Sequence, residues 1–162
     1  MLPPRDAESG STDPSDEPAA TSTSATQPTA TVQGPSTTVE GPGRTVEEVW
    51  RFATGDTVSA SSPTVSGGVV YIGSSDGHLY AIDGDTGTEV WSFTAGPISA
   101  SPAFSDGVVY VGSFDHNVYA VDAATGEERW RFGAEATVSS SPAVWEGVVY
   151  VGSQAGFLYA LR

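Results

Sequence analysis

The chain carries 162 residues with 20 acidic and 6 basic side chains, every basic one an arginine, for a formal charge of −14. That length holds one domain plus a tail, and the charge argues against DNA, RNA and anionic membrane surfaces as partners. The lack of cysteine excludes disulfides, thiolate metal sites, cysteine nucleophiles and lipidated cysteines, and no apolar run approaches the roughly 18 residues that a membrane-inserted helix needs.

Met1-Leu2-Pro3-Pro4-Arg5-Asp6 lacks the apolar core of a signal peptide. The sequence leaves the compartment open: extracellular or cell-surface if a leader lies upstream of it, otherwise cytoplasmic. Residues 1–45 hold six Ser, nine Thr and seven Pro, which neither fill a core nor sustain helix or strand, so a disordered acidic tail is predicted there.

From Val46 onward the sequence repeats. Trp50, Trp91 and Trp130 are 41 and 39 residues apart, and Ser62-Pro63, Ser101-Pro102 and Ser141-Pro142 are 39 and 40 apart. Each unit carries a Gly-Val-Val-Tyr-Ile/Val-Gly-Ser run, at Gly68–Ser74, Gly107–Ser113 and Gly147–Ser153. A second apolar run follows, at Leu79–Ile82, Val118–Val121 and Leu158–Leu161. A period of about 40 built from short Val-, Tyr- and Trp-rich segments with Gly and Asp turns predicts a four-stranded β-propeller blade per unit. In the second unit the strands are expected near Ile98–Phe104, Val108–Ser113, Asn117–Asp122 and Glu127–Phe132. Blades stack face to face, so central strands should be apolar on both sides. The first strand, nearest the axis, should be thin, as Ser59-Ala-Ser-Ser-Pro63, Ser99-Ala-Ser-Pro102 and Ser139-Ser-Ser-Pro142 are. The outermost strand should carry the charge that blunts an exposed edge, as Glu47-Glu48, Glu89 and Glu127-Glu128-Arg129 do.

Two segments match one eleven-residue pattern at every fixed position: Ala81-x-Asp83-x-x-Thr86-Gly87-x-x-x-Trp91 and Ala120-x-Asp122-x-x-Thr125-Gly126-x-x-x-Trp130. The pattern resembles the tryptophan-docking motif of pyrroloquinoline-quinone (PQQ)-like propellers, which include quinoprotein alcohol dehydrogenases and the cofactor-free BamB-type outer-membrane assembly lipoproteins. Over residues 46–162 the resemblance implies an all-β, quinoprotein-like β-propeller of about three four-stranded repeats, a partial propeller. It implies roles as well: Trp91 and Trp130 pack on the neighbouring blade's motif, Gly87 and Gly126 allow the close approach, and Asp83, Thr86, Asp122 and Thr125 tie the turns. The third copy breaks off after Ala160-Leu161-Arg162. Trp50 with Thr45 looks like the tail of a motif whose Ala and Asp positions hold Glu40 and Pro42.

The quinone-dependent members bind PQQ at one end of a closed eight-bladed ring, with carboxylate and amide ligands for calcium, an Asp base and often adjacent cysteines. Asn117 is the one asparagine and cysteine is absent, so neither PQQ with calcium nor any catalytic residue is expected. Asp83-Gly-Asp85-Thr-Gly87 superficially resembles a calcium loop, but the bidentate Glu at its twelfth position is missing, and the docking turn accounts for the same residues. His78 and His116 sit at or beside equivalent hairpin turns, where the third copy has Gly156 or Phe157. Two histidines without a third ligand read as turn residues, so no metal is expected.

The expected function is a non-catalytic PQQ-like repeat module for protein binding or scaffolding, with a cell-surface setting left open. A fragment of a PQQ-dependent dehydrogenase, or a truncated reading frame, are the alternatives. Open blade faces should take a protein partner or self-associate. The implied assembly is a head-to-tail homodimer in which the strand around Trp50 completes the partner's third blade beside Leu158–Leu161. Trp91 and Trp130 are expected to be buried, and Trp145 to be exposed, because Thr64 and Ala103 take positions near its own in the other units. The acidic excess without lysine resembles that of halophilic proteins, with 14 acids against four arginines from residue 46 onward, so folding should require molar salt.

Overall fold

The computed structural model describes residues 38–41, 44–58 and 60–162. Strands β1 (Thr38–Gly41) and β2 (Arg44–Glu47) pair as an antiparallel hairpin that straddles the boundary drawn at residue 45. The remainder of the expected disordered tail lies outside the described residues. Blade 1 comprises β3 (Thr64–Ser66), β4 (Val69–Gly73), β5 (His78–Asp83) and β6 (Glu89–Thr94). Blade 2 comprises β7 (Ala103–Ser105), β8 (Val108–Gly112), β9 (Asn117–Asp122) and β10 (Glu128–Gly133). Blade 3 comprises β11 (Ala143–Trp145), β12 (Val148–Gly152) and β13 (Leu158–Leu161).

Each blade is an antiparallel meander in chain order, four-stranded in blades 1 and 2 and three-stranded in blade 3. The Val-Val-Tyr runs supply β-branched and aromatic residues that suit a pleated surface. The two-residue turns Asp106-Gly107 and Glu146-Gly147 hold both residues at positive φ, the geometry that matches the strand twist in a tight hairpin. The all-β, three-repeat propeller architecture expected from the sequence is present.

The first strand of each unit is shorter than expected. In blade 2 it is Ala103–Ser105, and Ile98–Pro102 forms no strand. Pro102 has no N–H for a ladder, and the neighbouring amides bond to other blades. The Ile98 amide donates to the Ser74 carbonyl of blade 1 at 3.0 Å, and the Ser101 amide donates to Ser141 Oγ at 3.0 Å. Ser62 N repeats that bond toward Ser101 Oγ at 2.8 Å, and Ser61 Oγ donates to the Ala100 carbonyl at 3.1 Å. The Ser-Pro runs thus join one blade to the next instead of adding to a sheet.

Directly paired residues share a face, and the faces alternate along each strand. Thr64, Ser66, Val69, Tyr71, Leu79 and Ala81 therefore look toward blade 2. Tyr71, Leu79, Ala81 and Trp91 form one buried cluster with Val109, Val111 and Val121 of blade 2, closed by Ile98 and Ala100. A smaller cluster joins Val118 of blade 2, Val138 of the linker and Val151 of blade 3, flanked by Phe132, Tyr159 and Leu161. Fully burying a side chain of this size contributes about 1.5–3 kcal/mol, so the blade-to-blade contacts hold the arc together.

Candidate functional site

The docking-motif residues of blades 1 and 2 lie in the turns between their last two strands. In the turn between β5 and β6 the Asp83 carboxylate accepts from the amides of Asp85 and Thr86 at 3.1 and 2.8 Å and from the Thr86 hydroxyl at 2.7 Å. Those bonds, the Thr86 hydroxyl first, hold its pKa below the ordinary range. In the turn between β9 and β10, Asp122 accepts from the amides of Ala124 and Thr125. It is also gripped by the Arg129 guanidinium at 2.6 and 3.1 Å, and that contact is the main reason its pKa is pulled down to about 2.

Gly87 and Gly126 sit at φ +70° and +75°, and a Cβ there would lie 2.7 Å from the Trp50 ring and 2.8 Å from the Trp91 ring. Each indole rests on the glycine and donates its N–H to the same turn: Trp50 to the Gly84 carbonyl at 2.8 Å, Trp91 to the Ala123 carbonyl at 3.0 Å. Ala81 and Ala120, both fully buried, leave room for Trp91 and Trp130, which pair directly opposite them. Trp91 is buried, as expected, but Trp130 is only half-buried. It stacks obliquely on Tyr110 at 5.8 Å, and no docking turn stands against it among the described residues.

A second set of clamps escaped the sequence reading. The Asp76 carboxylate, in the turn between β4 and β5, accepts from the Tyr80 hydroxyl at 2.8 Å and from the Gly55 amide at 2.6 Å. It thereby ties its hairpin to the bend that precedes the blade. Asp115 repeats this with Tyr119 at 2.6 Å and Gly96 at 3.2 Å. Burial pushes both carboxyls up, yet the hydrogen bonds outweigh it and both lie below the ordinary range. Burial first, and then the Asp115 carboxylate, raise the Tyr119 hydroxyl to about 12. The signal was the Asp-x-x-x-Tyr spacing shared by Asp76–Tyr80 and Asp115–Tyr119. Blade 3 has Ala155 in its place, and Tyr159 there only accepts a 3.4 Å bond from the Glu135 amide.

The two histidines are not equivalent. His116, at φ +75°, occupies the left-handed turn position held by Gly77 and Gly156, whereas His78 opens β5 as Asn117 opens β9. Among the described residues no three His, Asp or Glu side chains gather as a metal site, and no helix is long and apolar enough to cross a membrane.

The widest departure from repetition is the outer face of blade 3. Leu79 and Val118 are fully buried, but their counterpart Leu158 is 76% exposed. Ala160 is exposed where Ala81 and Ala120 are buried. Trp145, 64% exposed, pairs with Val148 as Ser66 pairs with Val69 and Ser105 with Val108. Its counterparts are thus these serines and not Thr64 and Ala103, and it lies on the same open face as Tyr150, Leu158 and Ala160. Beside the free edge of β13 a groove of about 470 Å3 runs between Trp130, Phe132, Leu161 and Arg162. At the other end of the arc, Trp50, Phe52 and Val58 border a groove of about 300 Å3 over Val70, Ile72 and Ile82 of blade 1.

A sequence profile described as "Outer membrane protein assembly factor BamB" matches residues 23–97 and again 81–162. No curated protein matches the chain. Among solved structures, BamB from Moraxella catarrhalis shares the fold at a TM-score of 0.56 and 24% identity, over 61% of this chain and 32% of its own. Quinohemoprotein alcohol dehydrogenase ADHIIG from Pseudomonas putida HK5 gives 0.57 and 26%, over 62% of this chain and 18% of its own. The enzyme of the same type from Comamonas testosteroni gives 0.57 and 28%, over 65% and 19%. The chain matches about a third of the first protein's length and about a fifth of the other two.

Proposed function

Because the chain belongs to the PQQ-like repeat family represented by the outer membrane protein assembly factor BamB, we propose that it is a non-catalytic scaffold that holds another protein. One observation carries this reading: among the described residues the third sheet offers an unpaired strand edge at β13 beside an apolar face of Trp145, Tyr150 and Leu158. An extended chain bonds such an edge through its backbone and fills such a face with alternate side chains. Exposed apolar surface of this kind marks interaction sites. The residues whose types suit chemistry are engaged in architecture, since Asp83 and Asp122 close turns while Trp50 and Trp91 dock on neighbouring blades.

The alternative, a portion of a quinoprotein dehydrogenase, draws on the 26% and 28% identity with the two alcohol dehydrogenases. The readings separate in two assays. Added PQQ, calcium and an alcohol should give no dye reduction, and turnover would overturn the scaffold reading. A photoreactive side chain at Leu158 should cross-link a protein in the source cells, while one at Val90 of β6, also exposed, should not. Equal labelling from both would also overturn it.

A further inference from the structure

We propose that a second copy of this chain completes blade 3: residues 47–53 of one copy pair with β13 of the other, making a composite blade from two chains. This rests on the protein-binding reading above and names the partner. The segment Glu47-Glu-Val-Trp-Arg-Phe-Ala53 matches Glu127-Glu-Arg-Trp-Arg-Phe-Gly133, the outer strand of blade 2, at five of seven positions. Within residues 48–54 Arg51 makes only an isolated β-bridge, yet Trp50 and Phe52 cover blade 1 as an outer strand covers the next blade. Trp50 docks on Gly84 as Trp91 docks on Ala123, and Phe52 meets Tyr80 edge-on at 5.3 Å as Phe93 meets Tyr119. Residues 47–53 thus carry the sequence and the docking contacts of an outer strand, and among the described residues blade 3 has three strands and no outer one.

The side chains also match. Val70, Ile72 and Ile82 beneath the groove of Trp50 and Phe52 hold in blade 1 the positions of Val109, Val111 and Val121, on which Tyr71 and Leu79 pack, and blade 3 presents Tyr150 and Leu158 at the Tyr71 and Leu79 positions. In the blade 1 to blade 2 contact Ser66 and Phe104 border one cleft. Their counterparts on the two open ends are Trp145 and Val65, exposed by 64% and 65%. The larger residue has moved to one side and the smaller to the other, so the pair fits across a contact between copies. Each contact is head-to-tail. Two such contacts between two copies join their six described blades, a number within the roughly four to eight that propellers use.

The Trp130–Ala120, Phe132–Val118 and Gly133–Asn117 register of blade 2 places Ala53 of one copy opposite Phe157 of the other. Both are exposed, and they lie on different blades of one chain. The test uses the full chain in molar KCl. Light scattering should give about 33 kDa, twice the 16.6 kDa chain. Oxidising Ala53→Cys mixed with Phe157→Cys should give a covalent dimer that neither variant gives alone. Trp145→Glu, at an exposed position, should give a monomer with unchanged circular dichroism. A folded monomeric parent chain, or a Trp145→Glu protein that stays dimeric, would overturn the proposal while leaving the protein-binding reading to its own cross-linking assay. Dye reduction would remove that reading whatever the mass.

Discussion

Truncating Trp91 to alanine removes the indole that joins blade 1 to blade 2. The side chain is 9% exposed, lies 5.8 Å from the Tyr71 ring, sits on the face of Gly126 and donates to the Ala123 carbonyl. Large-to-alanine changes at such aromatic core sites cost about 3–5 kcal/mol. The Ala123 carbonyl keeps a second donor, the Tyr71 hydroxyl at 3.4 Å, so no full penalty for an orphaned acceptor adds to that figure. Trp130 occupies the same register position but is half-buried, and no carbonyl accepts its N–H among the described residues, so its truncation should cost clearly less, about 1–3 kcal/mol. Denaturant unfolding followed by far-ultraviolet circular dichroism in molar KCl measures both. Equal losses for the two variants, or a Trp91→Ala loss below about 1 kcal/mol, would refute the assignment of the docking turn as the main tie between blades.

Three further outcomes follow from the same contacts. Gly126→Ala places a Cβ 2.8 Å from the Trp91 ring at φ +75°. Combining left-handed strain of about 1–2 kcal/mol with overpacking of about 1–3 kcal/mol, it should lower the unfolding midpoint about as much as Trp91→Ala, and an unchanged midpoint would contradict the close approach. Asp122 has a folded pKa of about 2, below its unfolded value of about 3.9, so its contribution is present above pH 4 and lost between about 4 and 2. Arg129→Ala should flatten that part of the profile of melting temperature against pH, and an unaltered acid limb would count against the pair. Dialysis from molar KCl to millimolar salt lengthens the screening distance from about 3 Å to about 30 Å or more. With 14 acids against four arginines in the repeats, circular dichroism should report loss of structure, and a constant spectrum would remove the salt argument.

The repeat and its turns were legible because they are local. Gly-Val-Val-Tyr runs, Asp-Gly turns and the eleven-residue pattern each fix a conformation within a few residues, so β8 and β9 lie where they are expected. What was less legible depends on partners distant in sequence. The Ser-Pro runs read as first strands from composition, yet Ser101 bonds to Ser141 on the next blade, a choice nothing within the run specifies. Asp76 and Asp115 read as ordinary turn residues because the amides they hold, Gly55 and Gly96, lie 21 and 19 residues away. The histidines read as equivalent by spacing, whereas backbone φ separates a left-handed turn position at His116 from a strand position at His78. The exposure of Trp145 was correctly expected from its break with the pattern, but its serine counterparts emerged only from the pairing with Val148.

The account turns on the β13 edge being a place where another strand docks. Amide hydrogen exchange on the dilute full chain, with and without excess of a synthetic peptide of residues 47–54, tests this most directly. Exchange at Leu158–Leu161 should slow on adding the peptide, while the outer strands β6 and β10 remain as before. Unchanged exchange across β13 at saturating peptide would contradict the account.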